Sequence, residues 1–331
     1  LFGDGDAAEG MLTFSNYFTD PALTNLHETT LYVDNGFPSA TPGWDVTHFA
    51  AIKNALAAAF PGDTIEVAPG TYTQTSTLTI ATRGVTVTGT GASRAEVLID
   101  VTACGPSWGI HVKADDVTLE HFTVIPASVA VPKSGYPIHV APEPVVPGAA
   151  LANVTLRDIE VSGSYRTAFD LPAVNGVLLE GLTATGSAYG NGIQLTACTD
   201  VELIDCTTEG NAWGGVALYY STYAAAGCSD VTIDLARNSI NEIQAVYVQD
   251  PAVANLTVGN YTYSITAAGI TTYIDGEVDE AIALALYYDS RGWAVTQIDR
   301  KSVVEGKRVD LGGRRMIKKK TKQSGYRPGT F

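Results

Sequence analysis

The stretch NVTLRDIEVSGSYRTAFDLPAVNGVLLEGLTATGSAYGNGIQLTACTDVEL, residues 153–203, contains one pattern three times. An apolar residue, any residue and a second apolar residue begin at Val154, Val177 and Val201, so the pattern recurs after 23 and then 24 residues. The residue directly before each start is Asn, Gly or Asp. Self-similarity at this period is typical of solenoid proteins, in which short repeats stack on one another.

The same pattern extends over most of the chain. Its seven starts are Val85, Val117, Val154, Val177, Val201, Val231 and Leu256. The successive intervals are 32, 37, 23, 24, 30 and 25 residues, and we interpret the longer ones as the same unit with an inserted loop. The residue before each start tolerates a left-handed backbone or favours a tight turn. These residues are Gly84, Asp116, Asn153, Gly176, Asp200, Asp230 and Asn255. A parallel β-helix needs such a corner once per coil.

A second strand is predicted ahead of each corner, because apolar and polar residues alternate there. Its apolar pairs are Ile110 and Val112, Ile138 and Val140, Phe169 and Leu171, Ile193 and Leu195, Val216 and Leu218, and Val246 and Val248. One coil cannot bury its apolar side alone, so the coils must stack. The sequence therefore predicts an all-β chain, a right-handed single-stranded parallel β-helix.

An amphipathic helix is predicted at residues 48–60, ahead of the first coil. Phe49, Ile52 and Leu56 share one helical face, and Pro61 follows the last residue. Because an open end of a β-helix exposes strand edges and core, we expect this helix to cap the N-terminal end.

The segment PGDTIEVAPGTY, residues 61–72, follows the predicted helix directly. A helix followed by this segment resembles the opening of the pectin-lyase-like right-handed β-helix superfamily. The resemblance covers residues 46–260 and implies the fold. It does not imply one activity, because the superfamily includes lyases, epimerases and non-catalytic proteins, and no catalytic family motif is matched.

The predicted organisation has four parts. Residues 1–45 form an N-terminal segment and residues 46–260 the parallel β-helix. Residues 261–299 form irregular strands and a C-terminal cap, with a short helix at residues 277–288 that has Ile282, Leu286 and neighbouring alanines on one side. Residues 300–331 form a basic tail, which we interpret as a disordered extension or as sequence foreign to the native protein.

Charge is distributed unevenly between this tail and the body. The chain has 20 Lys and Arg residues and 35 Asp and Glu residues. The tail holds 11 of the basic residues and 2 of the acidic ones. Residues 1–299 therefore have 9 basic and 33 acidic residues, a net charge of −24. A body this acidic argues against nucleic-acid binding. No apolar run is long enough to span a membrane. The chain begins at Leu1 without a signal segment, so a secreted or cell-surface location is expected from fold and acidity.

One row of side chains is predicted to point outward from the second strand of successive coils. It comprises His111, His139, Asp170, Gln194, Ala217 and Tyr247. Neighbouring strands lie about 4.8 Å apart, so His111, His139 and Asp170 would form a three-step ladder. A second outward row, two residues further on, includes Lys113, Thr196, Tyr219 and Gln249.

A column of aromatic residues precedes this strand in five successive coils. It comprises Trp108, Tyr136, Tyr165, Tyr189 and Trp213. Flat rings in a row could stack on successive sugar rings, and their polar edges could bond hydroxyl groups. The alternative is that the rings pack on one another and stiffen the corner. We predict substrate-binding roles for these residues, except Tyr136, and for Asp170, Gln194 and Tyr247.

The outward residues favour β-elimination over hydrolysis. Hydrolysis needs two carboxylates about 5–9.5 Å apart, whereas Asp170 and Asp250 are three coils, roughly 14 Å, apart. Elimination from a uronic acid needs a cation for the carboxylate, a base and an acid. The predicted catalytic residues are Lys113 or Arg166 as the cation, His139 or His111 as the base, and Tyr136 as the acid.

The Asp-rich stretches and the four cysteines do not predict a metal site. The Asp-rich stretches are interpreted as solvated turns, so no metal ligand is named, and calcium is the only cofactor considered. Cys198 and Cys228 occupy equivalent places in successive repeats, as a disulfide or as two buried thiols.

Two functions remain open. The first is an extracellular, monomeric polysaccharide-acting protein, a lyase on uronic-acid polymers. The second is a non-catalytic adhesin, stalk or glycan-binding module. Convergence of His139, Arg166 and Tyr136 on one point of a groove would favour the lyase.

Overall fold

The computed structural model describes residues 29–104, 108–128 and 136–300, and the short strands β26 (Val303–Val304) and β27 (Lys307–Arg308). The strands of the described solenoid form two large sheets of 15 and 10 strands. The larger sheet bends along its length into two faces, so each coil has three sides. The rest of the predicted N-terminal segment and basic tail lies outside the described residues.

Face 1 is the longest run of parallel strands. In spatial order it comprises β2 (His48–Phe49), β1 (Thr30–Val33), β3 (Thr64–Val67), β6 (Thr86–Gly89), the first halves of β9 (Thr118–Ile125) and β11 (Leu151–Ser162), β13 (Val174–Glu180), β16 (Thr199–Ile204), β19 (Ser229–Asp234) and β22 (Thr257–Gly259). Because β1 pairs in parallel with β3, the solenoid begins ahead of residue 46.

Faces 2 and 3 complete each coil. Face 2 comprises β4 (Gly70–Thr73), β7 (Val97–Asp100), the second halves of β9 and β11, β14 (Thr183–Thr185), β17 (Thr207–Glu209) and β20 (Ser239–Ile240). Face 3 comprises the parallel strands β5 (Leu78–Ile80), β8 (Ile110–Val112), β10 (Ile138–Val140), β12 (Phe169–Pro172), β15 (Ile193–Thr196), β18 (Val216–Tyr219) and β21 (Val246–Gln249). The parallel coils wind right-handed, as crossover connections between parallel strands do.

The corner between face 3 and face 1 has the predicted conformation in every repeat. All seven residues before the repeat starts have φ between 51° and 75°. A second left-handed corner joins face 1 to face 2 and was not predicted. It is formed by His121, Asp158, Gly181 and Asp205, with φ between 47° and 63°.

The inward residues of the three faces form one continuous core. On face 3, Ile110 pairs with Ile138, Ile138 with Phe169 and Phe169 with Ile193, and all four side chains are buried. Each fully buried side chain of this size contributes roughly 1.5–3 kcal/mol. Stacking of like residues in successive coils is therefore the main source of stability.

The cysteines belong to this core. Cys198 and Cys228 are buried free thiols, and the Cys198 thiol donates a hydrogen bond to the Leu171 carbonyl. Burial is the main cause that raises the pKa of the Cys228 thiol to about 11. The thiol interpretation of this pair is correct.

The N-terminal helix, α1, spans Ile52–Ala58 and is shorter than predicted. Ile52, Ala55 and Leu56 are buried in the core. His48 and Phe49 form β2 and pair with β1 instead of opening the helix. The predicted range was therefore too long, because strand pairing determines the conformation of its first residues.

The C-terminal part departs from the coil pattern. Strands β24 (Ile270–Ile274), β23 (Tyr263–Ala267) and β25 (Val295–Arg300) continue face 3 beyond β21 in antiparallel pairing. A helix, α2, spans Val278–Ser290. Of the residues expected to share one side of this helix, Ile282 and Leu286 are 43% and 63% exposed, whereas the alanines Ala281 and Ala285 are buried. The buried residues of α2 are Ala281, Leu284, Ala285 and Tyr288, which belong to a separate small core with β23.

The left-handed corners can be tested at Asp200, an exposed residue with φ of 55°. We expect Asp200→Val to lower the free energy of unfolding by about 1–2 kcal/mol, because a β-branched residue is strained in this conformation. Asp200→Gly should retain stability, and so should Glu202→Val in the extended part of β16. Urea unfolding measures all three. Equal stability of the Val and Gly variants at position 200 would contradict this role.

Candidate functional site

The predicted outward row on face 3 has the expected register. Strand pairing aligns one residue per coil, and the row extends one residue further at each end than predicted. Its members are Thr79, His111, His139, Asp170, Gln194, Ala217, Tyr247 and Thr272. Residues from distant parts of the sequence are thus brought into one line along the axis.

Part of this row is covered rather than open to solvent. His111, His139 and Asp170 are only 2%, 7% and 4% exposed. The Trp108 ring stacks on His139 at 4.5 Å between centroids, with an angle of 6° between planes, and lies 4.3 Å from His111. The expectation of a solvent-facing histidine ladder is corrected, because the indole of Trp108 covers both imidazoles.

The covered residues form a hydrogen-bonded cluster. His139 Nδ1 lies 2.8 Å from Asp170 Oδ2, and Gln194 Nε2 donates to Asp170 Oδ1 at 2.9 Å. His111 Nε2 lies 3.3 Å from the Ala141 carbonyl oxygen, to which it donates. Burial, followed by the neighbouring His139, lowers the pKa of His111 to about 4. His111 is therefore neutral at physiological pH.

An open cleft of about 520 Å³ lies beside this cluster, between face 3 and α2. Its lining consists of seven aromatic residues, three glutamines, two arginines and one alanine. They are Tyr136, Arg166, Gln194, Ala212, Trp213, Tyr219, Gln244, Tyr247, Gln249, Tyr287, Tyr288, Arg291 and Trp293. The described lining contains no Asp or Glu, so this surface differs from the acidic body around it.

Arg166 is held between aromatic rings on one side of the cleft. Its guanidinium carbon lies 5.5 Å from the centre of the Tyr136 ring and 5.6 Å from that of Trp213. One terminal nitrogen donates to the Tyr136 hydroxyl at 3.1 Å. The Nε atom is buried and has no hydrogen-bond partner among the described residues. Arg166 therefore retains an unused N–H donor in a partly desolvated setting.

A second unsatisfied polar atom belongs to Asn191, which is fully buried next to the cleft. Its Nδ2 donates to the Tyr219 hydroxyl at 3.2 Å, whereas its Oδ1 has no partner among the described residues. An unpaired buried acceptor costs free energy. Through the hydrogen bond from its Nδ2 atom, Asn191 holds the Tyr219 hydroxyl in place at the cleft surface.

Tyr136, Tyr219 and Tyr247 on the cleft surface remain protonated near neutral pH. Burial, with a further contribution from Asp170, raises the pKa of Tyr136 despite the opposing effect of Arg166. Burial also raises the pKa of Tyr219, and burial together with Tyr219 raises that of Tyr247 to about 12. Their hydroxyl groups can donate and accept hydrogen bonds, but they cannot act as bases without a large cost.

The other predicted site residues lie outside the cleft lining. Lys113 Nζ is 3.4 Å from Glu143 Oε2, so its charge is already paired. Tyr165 and Tyr189 pack on each other, with 5.0 Å between ring centres. The aromatic column is therefore divided: Trp108 covers the histidines, and Tyr136 and Trp213 line the cleft.

Sequence reasoning missed one wall of the cleft. Tyr287, Tyr288, Arg291 and Trp293 come from the end of α2 and the residues after it. The only available signal was the dense aromatic segment YYDSRGW at residues 287–293.

Within the described ranges, no group of three or more His, Cys, Asp or Glu side chains is placed to hold a metal ion. No helix there has the length and apolar character to cross a membrane.

Several solved structures are similar to this chain. A rhamnogalacturonan lyase is 13% identical, with a TM-score of 0.35, and the match covers 70% of this chain and 50% of the lyase. The catalytic domain of a GH87 α-1,3-glucanase is 13% identical, with a TM-score of 0.41, over 77% of this chain and 49% of that domain. Pectin methylesterase PemA from Erwinia chrysanthemi is 10% identical, with a TM-score of 0.35, over 76% of this chain and 86% of the esterase.

These similarities concern the fold alone, which the pairing of the strands already establishes. The chain spans half the length of the rhamnogalacturonan lyase that it matches. No protein-family model and no curated protein sequence matches it.

The low pKa of His111 predicts acid sensitivity. The unfolded chain binds a proton at this residue near pH 6.5, whereas the folded protein resists protonation until about pH 4. His111 therefore favours unfolding progressively as the pH falls from about 6.5 to 4, by up to about 3 kcal/mol. We expect His111→Gln to lose less stability over this range than the unsubstituted protein, as measured by urea unfolding. Parallel pH profiles of the two proteins would contradict this account.

His121 provides a control of opposite sign. Burial lowers its pKa, but hydrogen bonds to Asp158 and the Gly91 carbonyl outweigh burial, so the pKa is raised overall. Its stabilising contribution is present at acid pH and is lost as the pH rises through the folded-state pKa. His121→Gln should therefore cost more stability at pH 5 than at pH 8.

Proposed function

We propose that the protein binds an acidic polysaccharide in the cleft between face 3 and α2. The observation that carries this proposal is the composition of the lining, with two arginines and no described carboxylate. Residues 1–299 have a net charge of −24, so a lining with two arginines and no carboxylate would not be expected from the average composition of the chain. Its local charge offsets the repulsion that the body exerts on a polyanion.

Arg166 is suited to a carboxylate ligand. A guanidinium presents several donors in a fixed plane, which matches the two oxygens of a carboxylate. Its contacts with Tyr136 and Trp213 hold the group in place. The Nε atom is buried, but the side chain as a whole is only partly buried, and partial desolvation strengthens any charge-assisted hydrogen bond that the guanidinium makes to a ligand.

The remaining lining residues are suited to sugar rings. Aromatic faces provide apolar contact for the C–H side of a sugar, and the hydroxyls of tyrosines and the amides of glutamines provide hydrogen bonds. Trp213 is substantially exposed although it is a large aromatic residue. An exposed tryptophan beside a partly buried arginine supports recognition of a ligand with both an apolar face and a charge.

The geometry favours binding over catalysis. Three tyrosines of the described cleft lining, Tyr136, Tyr219 and Tyr247, are poor bases because their pKa values are raised, and the lining contains no His, Lys, Asp or Glu. His139, the predicted base, is buried under Trp108 and bonded to Asp170. A glycan-binding protein that acts at a cell surface or in the extracellular medium is therefore the function we favour.

This proposal is tested by measuring binding to glycan panels. We expect the protein to bind polygalacturonate, alginate or a glycosaminoglycan more tightly than neutral dextran. Arg166→Gln should weaken that binding about tenfold or more, because a hydrogen bond to a charged group contributes roughly 1.5–3 kcal/mol. Arg237→Gln is the matched control, since Arg237 is an exposed arginine 4.0 Å from Glu202, outside the cleft lining. Equal affinity for charged and neutral glycans would refute the proposal.

A second candidate is elimination from a uronic-acid polymer. Two observations favour elimination. His139 is hydrogen-bonded to Asp170, and the Tyr136 ring lies 6.0 Å from the His139 ring. In this reaction His139 takes the proton beside the uronate carboxylate, a carbon–carbon double bond forms and the glycosidic carbon–oxygen bond breaks. Tyr136 protonates the departing oxygen, and Arg166 neutralises the carboxylate.

Absorbance of the unsaturated uronate product separates the two candidates. The protein is incubated with pectate, alginate and glycosaminoglycans, with and without calcium. A lyase would give a signal that His139→Ala abolishes. His48→Ala is the control, since His48 lies on β2 at the N-terminal end of the solenoid, and it should leave the signal intact. We expect no signal on any of these polymers, and a signal that depends on His139 would replace binding with the elimination mechanism.

A further inference from the structure

The outward row of face 3 ends against α2. Beyond Tyr247 the next member of the row is Thr272 on the antiparallel strand β24, and it is fully buried. The hydroxyl groups of Thr272 and Tyr288 are 2.8 Å apart. The helix therefore lies over the outer surface of face 3 at the point where the parallel coils stop.

This end wall is well supported. Side chains of Glu277 and Glu280 satisfy backbone N–H groups at the start of α2 in a reciprocal capping arrangement. Tyr288 is buried in the small C-terminal core, and its ring lies 5.7 Å from that of Trp293. Arg291 packs 4.5 Å above the ring of Tyr287. The wall is thus a packed helix end with aromatic and cationic groups facing the cleft.

The row is also closed on the opposite side. His111, His139 and Asp170 are covered, and Trp108 stacks above the two histidines. Between these two ends, Gln194 and Tyr247 are partly exposed and lie two strand steps or about 10 Å apart, whereas Ala217 between them is buried. A volume of about 520 Å³ falls within the range of about 300–1,000 Å³ that is typical of small-molecule sites.

We propose that the cleft binds the end of an acidic polysaccharide chain rather than an internal stretch. This inference rests on the proposed function. A chain that lies along the stacked rows meets α2 at one end and the Trp108 cluster at the other. Only a short terminal segment fits between them, with its carboxylate near Arg166 and its last ring against Tyr287 and Arg291.

The number of protein molecules bound per glycan chain tests this proposal. The probes are galacturonate oligomers from dimer to octamer and polygalacturonate fractions of defined length. Alginate oligomers form a second series. Sedimentation velocity gives the stoichiometry, and titration calorimetry gives the affinity per chain. We expect one protein per chain at every length, with an affinity per chain that stops increasing after the first few sugars.

The alternative results are distinct. Several proteins on each long chain, in proportion to its length, would overturn chain-end recognition while leaving acidic-glycan binding in place. Absence of binding to every oligomer and polymer of both series would overturn the proposed function and the present inference together.

Variants of the wall provide an independent readout. Tyr287→Ala should weaken binding of the galacturonate trimer about threefold to tenfold, because one aromatic contact is lost. Arg291→Gln should also weaken it. Tyr287 lies in α2 and Arg291 directly follows the helix, and neither belongs to the buried residues that pack α2. Tyr32→Ala, on β1 at the other end of the molecule, is the control. Unchanged trimer affinity in both wall variants would contradict the contact with α2.

Discussion

The left-handed residue at the corner of each coil is the constraint on which the rest of the structure depends. It turns the chain at the same point in every repeat, with φ between 51° and 75° at the seven predicted positions. Equal turns keep successive strands in register, so a residue on one strand lies beside its equivalent on the next. Core stacking and the outward row on face 3 both follow from that register. A site made of residues far apart in sequence thus depends on a local backbone preference.

What could be predicted from the sequence is what local patterns determine. Corners follow from Gly, Asn and Asp, and in-out alternation follows from strand geometry, so the repeat register and the rows were predicted correctly. Burial of His111 and His139 was not predictable in this way, because it depends on where the Trp108 ring lies. The same holds for α2, whose packed side is set by contact with β23 rather than by its largest apolar residues.

Net charge is a poor guide to a site of this kind. The acidity of residues 1–299 argues against a polyanionic ligand, yet the described lining of the cleft has two arginines and no carboxylate. Acidic side chains lie elsewhere, for example at the corners, where Asp116 and Asp230 accept hydrogen bonds from the asparagines of the next coil. These acidic side chains thus lie outside the described lining of the cleft, and the net charge of the whole chain does not show this separation.

The cleft lies where the repeat ends, and there is a physical reason for this position. A stack of equal parallel coils has a nearly continuous outer face, and regular strands provide no wall across it. Concavity requires an interruption of the pattern. Here the antiparallel strands β24, β23 and β25 replace the parallel coils, and the chain between β24 and β25 forms α2, which lies across the row. The coils supply a floor of aligned side chains and the interruption supplies the wall, so neither part alone forms the cleft.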